Sequence, residues 1–318
     1  MSIEVIDANP LAPGLYGLGL AAAVAALGLI EAAVVRRRDD PRSARGRWGV
    51  ALSLGLGYMA AHAWVRGWLR PLAWPPLPAL DAFDWLFYVA LAGMLLGLFE
   101  AVRPTPGWAR WENRLILVGG TLWALLGSKA RESWDLQLSA TTLGPIGAGM
   151  LLSWGTLEGM AERRGRSILL PMLVVAGGLT AALLITHSLV LAGLGLAVVG
   201  PLAVAWLFGW FSPCLTLGRG AVPALTLLLW SLGICGVFYS DLPATSALGF
   251  AVAPLMIGID RAGPFRKWRP WRSASLRAVA VAVPVALAVT VAFRASLTIS
   301  SESGPPPDPT ATEPIKDP

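Results

Sequence analysis

Residues 28–47 read GLIEAAVVRRRDDPRSARGR, and this stretch decides the fold. An apolar run ends at Glu31, six arginines follow, and a second apolar run begins at Trp48. Short basic loops between apolar helices are typical of the cytoplasmic side of a membrane, where positively charged loops are retained. The stretch therefore predicts two membrane helices that are joined by a cytoplasmic loop.

The composition extends this prediction to the whole chain. Of its 318 residues, 55% are hydrophobic and only 14% are charged, whereas soluble domains carry about 25% charged residues. The net charge of +6 would suit a nucleic-acid binder. However, the basic residues lie in short clusters between the apolar runs, where they flank membrane helices. We therefore predict a lipid bilayer as the partner and no nucleic acid.

Ten apolar runs follow one another along the chain. They cover residues 15–35, 48–66, 85–102, 111–128, 136–157, 167–186, 189–210, 222–240, 244–260 and 276–294. A membrane helix needs about 20 mostly apolar residues. The pattern thus predicts an all-α, polytopic bundle of about ten transmembrane helices. The fourth run is the weakest, and for it a re-entrant hairpin is the alternative to a full crossing.

The distribution of Lys and Arg predicts the orientation. With the N-terminus outside, the five cytoplasmic loops carry six, three, three, one and six basic residues, and the outer side carries six in total. This asymmetry follows the positive-inside rule and places both termini on the extracytoplasmic side. We expect a transmembrane helical domain over residues 1–298 and a disordered, Pro-rich extracytoplasmic tail over residues 299–318. The predicted location is the cell (inner) membrane.

Acidic residues recur at the cytoplasmic ends of the predicted helices. Three apolar runs end in Glu31, Glu100 and Glu158, and the ninth ends in Asp260. A carboxylate at a helix C-terminus faces the negative end of the helix dipole, so we expect a nearby arginine to hold each one. The loops of Glu100 and Glu158 close on Arg114 and Arg166. The alternative is that these acids merely pin helix ends beside basic loops.

A second layer of polar residues lies at the outer helix ends. It includes the chain's two histidines, His62 and His187, together with Asp241. Histidine and aspartate can act as a general acid and base, so these three are the candidate catalytic residues. The alternative is that they are ordinary residues of the membrane interface. Two histidines on different helices lack the spacing of a metal site, and we predict none.

The last cytoplasmic loop is both basic and aromatic. Residues 261–272 read RAGPFRKWRPWR. Arg266, Lys267, Arg269 and Arg272 are candidate contacts for anionic lipid headgroups on the cytoplasmic leaflet. The same charges also satisfy the positive-inside rule without any specific ligand.

The motifs leave the biochemical function open. The sequence contains no phosphate-binding loop, no nucleophile elbow and no zinc-protease signature, so no cofactor is predicted. Pro201 and Pro284 lie deep enough in their runs to break a helix, and broken helices line substrate sites in transporters. The leading hypothesis is therefore a permease-like protein for a small or lipidic molecule. A non-catalytic scaffold or accessory subunit is one alternative, and an enzyme acting on a lipid-linked substrate at the outer leaflet is another.

Overall fold

The computed structural model describes residues 12–38, 45–68, 75–77, 79–103, 106–161, 166–211, 217–261 and 270–302. Every regular element within these ranges is helical. The helices are α1 (Ala12–Arg38), α2 (Arg45–Val65), α3 (Ala82–Val102), α4 (Gly107–Glu132), α5 (Leu136–Glu158), α6 (Arg166–Ile185), α7 (Leu189–Phe211), α8 (Ala221–Tyr239), α9 (Ala244–Val252) and α10 (Pro270–Glu302). A 3₁₀ segment, Leu255–Arg261, follows α9.

The all-α prediction is confirmed, and each predicted apolar run falls on a helical segment. The fourth run forms one continuous helix of 26 residues, α4, so the re-entrant hairpin is excluded. By length and apolar composition, six described helices could cross a membrane. They are α1, α3, α6, α7, α8 and α10. The apolar segments Gly49–Val65 and Ala244–Ile259 are shorter. This composition is that of a membrane-embedded protein.

The helices alternate in direction, as contacts at one end of the bundle show. At this end, which we call the Asp84 end, Arg66 after α2 contacts Asp84 at the start of α3. Lys129 in the last turn of α4 lies over the ring of Tyr239 at the end of α8. Further contacts join the start of α1 to the end of α2, the start of α5 to the end of α8, and the end of α6 to the α8–α9 loop.

The opposite end, which we call the Arg114 end, gathers the complementary termini. Arg114, near the start of α4, contacts Glu158 at the end of α5. Arg277 near the start of α10 donates to Ser167 at the start of α6. The backbone N–H of Gly218, before α8, donates to the carbonyl of Ala161, after α5. Successive helices therefore run up and down through the bundle.

Helix α8 lies at the centre of the bundle. Most of its side chains are buried, and its Leu225, Leu227 and Leu228 have no exposed surface. Peripheral helices instead present large apolar side chains outwards, among them Trp123 of α4 and Leu287 of α10, which are 60% and 63% exposed. An apolar exterior around an apolar core is the arrangement expected of a helix bundle in lipid.

The structure shows which proline interrupts its helix. Helices α7 and α10 continue through Pro201 and Pro284, the two prolines that lie deep enough in their runs to break a helix. The break occurs instead at Pro254, where α9 ends and the 3₁₀ segment begins. A proline has no N–H to donate, and its ring clashes with the carbonyl four residues earlier. The ninth run is thus two helical pieces rather than one helix.

Each of the two tolerated prolines lies against a glycine of a neighbouring helix. A Cβ built on Gly57 of α2 would lie 2.9 Å from the ring of Pro201, and one built on Gly249 of α9 would lie 3.0 Å from the carbonyl oxygen of Pro284. Because glycine has no side chain, the neighbouring backbone can approach closely at these points. Helices α7 and α10 thus continue through their prolines at points where a neighbouring helix packs closely against them.

Helix α10 extends to Glu302, so residues 299–302 of the predicted tail are helical. The remainder of that tail, residues 303–318, lies outside the described residues.

Candidate functional site

The Arg114 side chain is the centre of a buried polar cluster at its end of the bundle. Arg114 is only 5% exposed. Its Nη2 donates to Glu158 Oε2 at the end of α5, and Nη1 of Arg110, one turn earlier on α4, lies 3.7 Å from the other carboxylate oxygen. Residues four apart share one face of a helix. The Arg110–Arg114 spacing therefore brings two guanidinium groups to one carboxylate.

Two tryptophans flank the Arg114 guanidinium. Its carbon lies 5.0 Å from the ring centroid of Trp111 and 5.8 Å from that of Trp154. Trp154 is fully buried on α5. A guanidinium within about 6 Å of an aromatic face gains a cation–π attraction, which is larger where water is excluded. The aromatic rings thus help to stabilise a charge that is almost removed from water.

Glu100, in the last turn of α3, completes the cluster. The guanidinium groups of Arg114, Arg110 and Arg219 lie near enough to act electrostatically on its carboxyl group. Arg219 precedes α8, and its neighbour Gly220 is in backbone contact with Gly97 of α3, where a Cβ would collide with the Gly220 carbonyl oxygen. This close approach brings the start of α8, and its arginine, to the end of α3.

Three polar atoms of this cluster are buried without a hydrogen-bond partner. They are Oε1 of Glu100, Nε of Arg114 and Nε1 of Trp154. Buried polar groups in proteins almost always find a partner, because an unpaired group loses its hydrogen bonds to water without replacement. The cluster is therefore incompletely hydrogen-bonded: the Glu100 oxygen is an acceptor without a donor, and the two nitrogens are donors without an acceptor.

Of the predicted acid–arginine set, the structure joins Glu158 to Arg114 and places Glu100 within electrostatic range of Arg114. The Glu158 carboxylate contacts Arg114 and Arg110 of α4, whereas the sequence suggested pairing within each loop. The side chains of Glu31, Arg166, Asp260 and Arg272 lie outside the described residues, as do Arg266, Lys267 and Arg269 entirely. Their pairing and their lipid contacts remain predictions.

Sequence analysis did not assign Arg110, Trp154 or Arg219 to a site. Arg110 and Arg114 are four residues apart on one helix, and this spacing could have indicated that they act together. Trp154 and Arg219 reach the cluster through helix packing. Their sequence neighbourhood gives no sign of it.

A second polar cluster lies at the Asp84 end. Arg66 contacts both Asp81 and Asp84 at 2.7 Å. Asp81 is the N-cap of α3, and its carboxylate accepts from the Asp84 backbone N–H at 2.8 Å. Asp84 is only 1% exposed and accepts from the Leu80 N–H at 3.3 Å. Each carboxylate is therefore held by the arginine and by the backbone of the first turn.

The candidate catalytic residues are not joined to one another. His62 is fully buried, its Nδ1 lies 3.3 Å from the Tyr58 hydroxyl, and the rings of Trp68 and Phe87 lie against it. His187 and Asp241 are exposed in turns, each with a positive φ. The described residues show no hydrogen bond or ion pair among the three, and no group of three metal-ligating side chains. Catalysis by this set gains no support from its geometry.

His187 and Asp241 nevertheless lie on neighbouring turns. The hydroxyls of Thr186 and Ser240, which precede them, are 3.4 Å apart. This contact fastens the end of α6 to the end of α8. The two exposed side chains are thus part of the Asp84 end of the bundle, while His62 is enclosed within it.

An apolar cleft of about 450 Å³ opens between α5, α6, α8 and α9. Buried Val175 and Leu179 of α6 line it, together with Trp230 and Gly233 of α8. Leu248 of α9, which is 64% exposed, also lines the cleft. Its polar side chains are the hydroxyls of Thr141 and Thr142, near the start of α5.

The position of this cleft depends on the broken ninth run. Pro254, where α9 stops, is one of the lining residues. A second apolar pocket, of about 340 Å³, lies between α1, α6 and α7 and includes Gly177 and Thr180. Neither pocket is lined by Pro201 or Pro284. These two pockets are therefore not the substrate site that the transporter hypothesis associated with Pro201 and Pro284.

No protein-family model, curated protein or solved structure matches this chain.

Proposed function

We propose that the chain crosses the membrane ten times, with the Arg114 end in the cytoplasm and both termini outside. Two independent observations support this. Contacts between helix termini at the Asp84 end and the Arg114 end indicate that successive described helices run in opposite directions. The segments predicted to be cytoplasmic carry 19 of the 25 basic residues, which is the asymmetry that the positive-inside rule requires. The cell (inner) membrane is the proposed location.

Protease-cleavable tags fused before Met1 and after Pro318 test the positions of the termini. In right-side-out membrane vesicles, added protease should remove both tags without detergent. Cleavage of only one tag would require an odd number of crossings and would contradict the proposal. A tag inserted between Arg38 and Arg45 should be cleaved only after detergent is added.

For function, we infer a permease-like protein that binds a lipidic molecule in the cleft between α5, α6, α8 and α9. The cleft itself is the observation that supports this inference. It is lined almost wholly by hydrocarbon and aromatic groups, and apolar pockets with a few polar groups are typical of lipid-like ligands. Its mouth lies among exposed apolar side chains such as Leu248. A hydrocarbon chain can enter there directly from the bilayer.

The polar groups of the cleft suggest how such a ligand is oriented. Thr141 and Thr142 lie within two turns of the start of α5, at the Asp84 end. Pro254 lies beyond the last turn of α9, further into the bundle. The ligand's polar end would therefore face the outer leaflet, and its chain would extend towards Pro254. The discontinuous helix resembles the broken helices that line binding sites in transporters.

A photocrosslinking experiment tests this proposal. The purified protein is reconstituted with a phosphatidylglycerol that carries a diazirine in its acyl chain, illuminated, and mapped by mass spectrometry. We expect crosslinks on Trp230, Val237 and Leu248 that are lost in Gly233→Phe. A Cβ at Gly233 meets no atom within 4 Å, so the phenyl ring can fill the cleft without a backbone collision.

Gly120→Phe is the matched control. Gly120 is exposed on α4, borders neither pocket, and also has open space around its Cβ position. This variant should keep the crosslinks in the cleft. The contrary result is that the cleft is crosslinked equally in wild type and in Gly233→Phe, and no more than the exposed Trp123. The cleft would then hold no lipid beyond that which solvates the whole surface.

A scaffold or accessory subunit is the second candidate, and the dry core favours it. The innermost helix, α8, is surrounded by buried aliphatic side chains, and both described pockets are apolar. The two candidates differ in transport. In proteoliposomes, a carrier accelerates the movement of a fluorescent phosphatidylglycerol between leaflets, whereas a scaffold leaves it at the rate of protein-free vesicles. Loss of acceleration in Gly233→Phe would assign the movement to the cleft.

A further inference from the structure

Two of the residues that line the cleft between α5, α6, α8 and α9 are prolines. They are Pro145, within α5, and Pro254, after the end of α9. A proline has no N–H, so the carbonyl four residues earlier loses the hydrogen bond that a helix would otherwise give it. Those carbonyls belong to Thr141 and Phe250, and both residues also line the cleft. The cleft therefore contains backbone acceptors that its apolar side chains do not reveal.

The Thr141 end of the cleft holds a second acceptor. The Thr141 hydroxyl donates to the carbonyls of Gln137 and Leu138, at 2.9 and 3.2 Å. A hydroxyl has one hydrogen, so towards a ligand this oxygen can only accept. Thr141 and Pro145 are both exposed, and a ligand can therefore reach this part of α5. A polar group that binds here must donate a hydrogen bond.

The Phe250 carbonyl lies at the other end of the cleft, where α9 stops. The backbone hydrogen bonds that follow this helix are accepted by the carbonyls of Gly249, Ala253 and Pro254. The hydroxyls that line the cleft, by contrast, are both on α5. The Thr141 end thus has more acceptors, and it is also the end nearer to the termini of α5 and α9, where a lipid's polar group would lie.

No charged side chain is among the described residues that line the cleft. A phosphate or an ammonium group that entered it would lose its water without gaining a counter-ion, which is costly. The exposed Asp135, which caps α5, and Asp241, shortly before α9, add negative charge at this end. A hydroxyl group is uncharged and can donate to a carbonyl. It is therefore the polar group that suits these surroundings.

We propose that the cleft selects an uncharged lipid whose polar end is a hydroxyl, such as a diacylglycerol, and that the Thr141 carbonyl accepts its hydrogen bond. This proposal rests on the inference that the cleft binds a lipidic molecule, and it adds the chemistry of the polar end. The hydrocarbon chain of such a lipid extends past Leu179 and Trp230 towards Pro254. The site thus recognises the chain by its apolar walls and the hydroxyl by the proline-freed carbonyl.

Photocrosslinking with matched probes tests the proposal. The full-length protein in nanodiscs is illuminated with three lipids that carry the same diazirine acyl chain: a diacylglycerol, its methyl ether and phosphatidylglycerol. We expect the diacylglycerol to label Trp230, Val237 and Leu248 about fivefold more than its methyl ether, which is the effect of one net hydrogen bond. Phosphatidylglycerol should also label them less, because of its phosphate. All three should label the exposed Trp123 equally.

The variant Pro145→Ala tests whether the Thr141 carbonyl causes the preference. Alanine supplies the N–H that proline lacks and closes this carbonyl. The diacylglycerol and its methyl ether should then label the cleft equally, while the methyl ether labels it as in wild type. Pro284→Ala is the matched control, because it makes the same change in α10 at a proline that lines neither described pocket. Pro284→Ala and Pro254→Ala should both keep the wild-type ratio.

Three results would overturn the proposal. The first is equal labelling of the cleft by the diacylglycerol and its methyl ether in wild type. The second is a preference that survives Pro145→Ala, and the third is one that is lost only in Pro254→Ala. In each case the cleft still binds lipid. If none of the three probes labels the cleft above the level of Trp123, the cleft binds no lipid, and the proposed function fails together with this inference.

Discussion

The two ends of α3 carry similar residues in different states of pairing. At the Asp84 end, one arginine contacts two carboxylates, and both also accept backbone N–H groups. At the Arg114 end, Arg114 contacts Glu158 and lies against the rings of Trp111 and Trp154. Each end also has buried side-chain atoms without a hydrogen bond: Asp84 Oδ1 at the first, and Glu100 Oε1 and Arg114 Nε at the second. The first cluster completes the cap of a helix. The second holds its arginine through a carboxylate and two aromatic rings rather than through a helix cap.

The largest expected effect is a loss of stability, which should be greater for the Arg114 variant than for the Arg66 variant. Arg114→Met removes the closest ion-pair partner of Glu158, and breaking a buried ion pair costs about 3–5 kcal/mol. Arg66→Met should cost less, about 1–3 kcal/mol, because backbone N–H groups still hold both aspartates. Unfolding of the two variants by denaturant in mixed micelles checks the order. A larger loss for Arg66→Met would reverse the comparison.

The next effect concerns the α3–α8 contact that anchors the Arg114 end. Gly97→Ala places a methyl group against the carbonyl oxygen of Gly220, and overpacking of this kind costs about 1–3 kcal/mol. At Gly120, where the Cβ position is open, the same substitution should stabilise the helix by up to about 1 kcal/mol. Comparing the two variants by unfolding in micelles isolates the backbone contact. Equal effects would show that the two helices can move apart freely.

The smallest effect tests the cap at the other end. Asp81→Ala removes the side-chain acceptor of the Asp84 N–H, and loss of an N-cap costs about 1 kcal/mol. Asp81→Asn retains an acceptor and should recover most of the loss, while it removes the charge that faces Arg66. If Asp81→Asn and Asp81→Ala are equally destabilised in the same unfolding assay, the ion pair with Arg66 matters more than the cap.

The sequence predicted the helices well because each is encoded by a continuous apolar run. The runs at 136–157 and 189–210 correspond closely to α5 and α7. The ninth run failed because apolar character alone does not show where a proline interrupts a helix. Pro254 ends α9, whereas Pro201 and Pro284 lie within unbroken helices against glycines of neighbouring helices. Which proline breaks its helix depends on packing that no local pattern contains.

For the candidate site, the sequence predicted the types of residue but not which residues are partners. Acids at helix ends and arginines in loops were visible in the sequence, but the partner of Glu158 is on the preceding helix, 44 residues earlier. Trp154 lies in an apolar run like many other tryptophans of this chain, and only the fold places it beside Arg114. The sequence likewise does not reveal the cleft, because it forms where two separate pairs of consecutive helices, α5–α6 and α8–α9, pack against each other.

Cysteine accessibility at the two ends tests the central claim most directly. Leu80 and Leu136 are 83% and 88% exposed at the Asp84 end, and Trp108 is 71% exposed at the Arg114 end. In right-side-out vesicles, and in a background lacking Cys214 and Cys235, a membrane-impermeant maleimide should label Leu80→Cys and Leu136→Cys at once. It should label Trp108→Cys only after permeabilisation. Labelling of all three from outside, or of Trp108→Cys alone, would contradict an up-and-down bundle whose Arg114 end faces the cytoplasm.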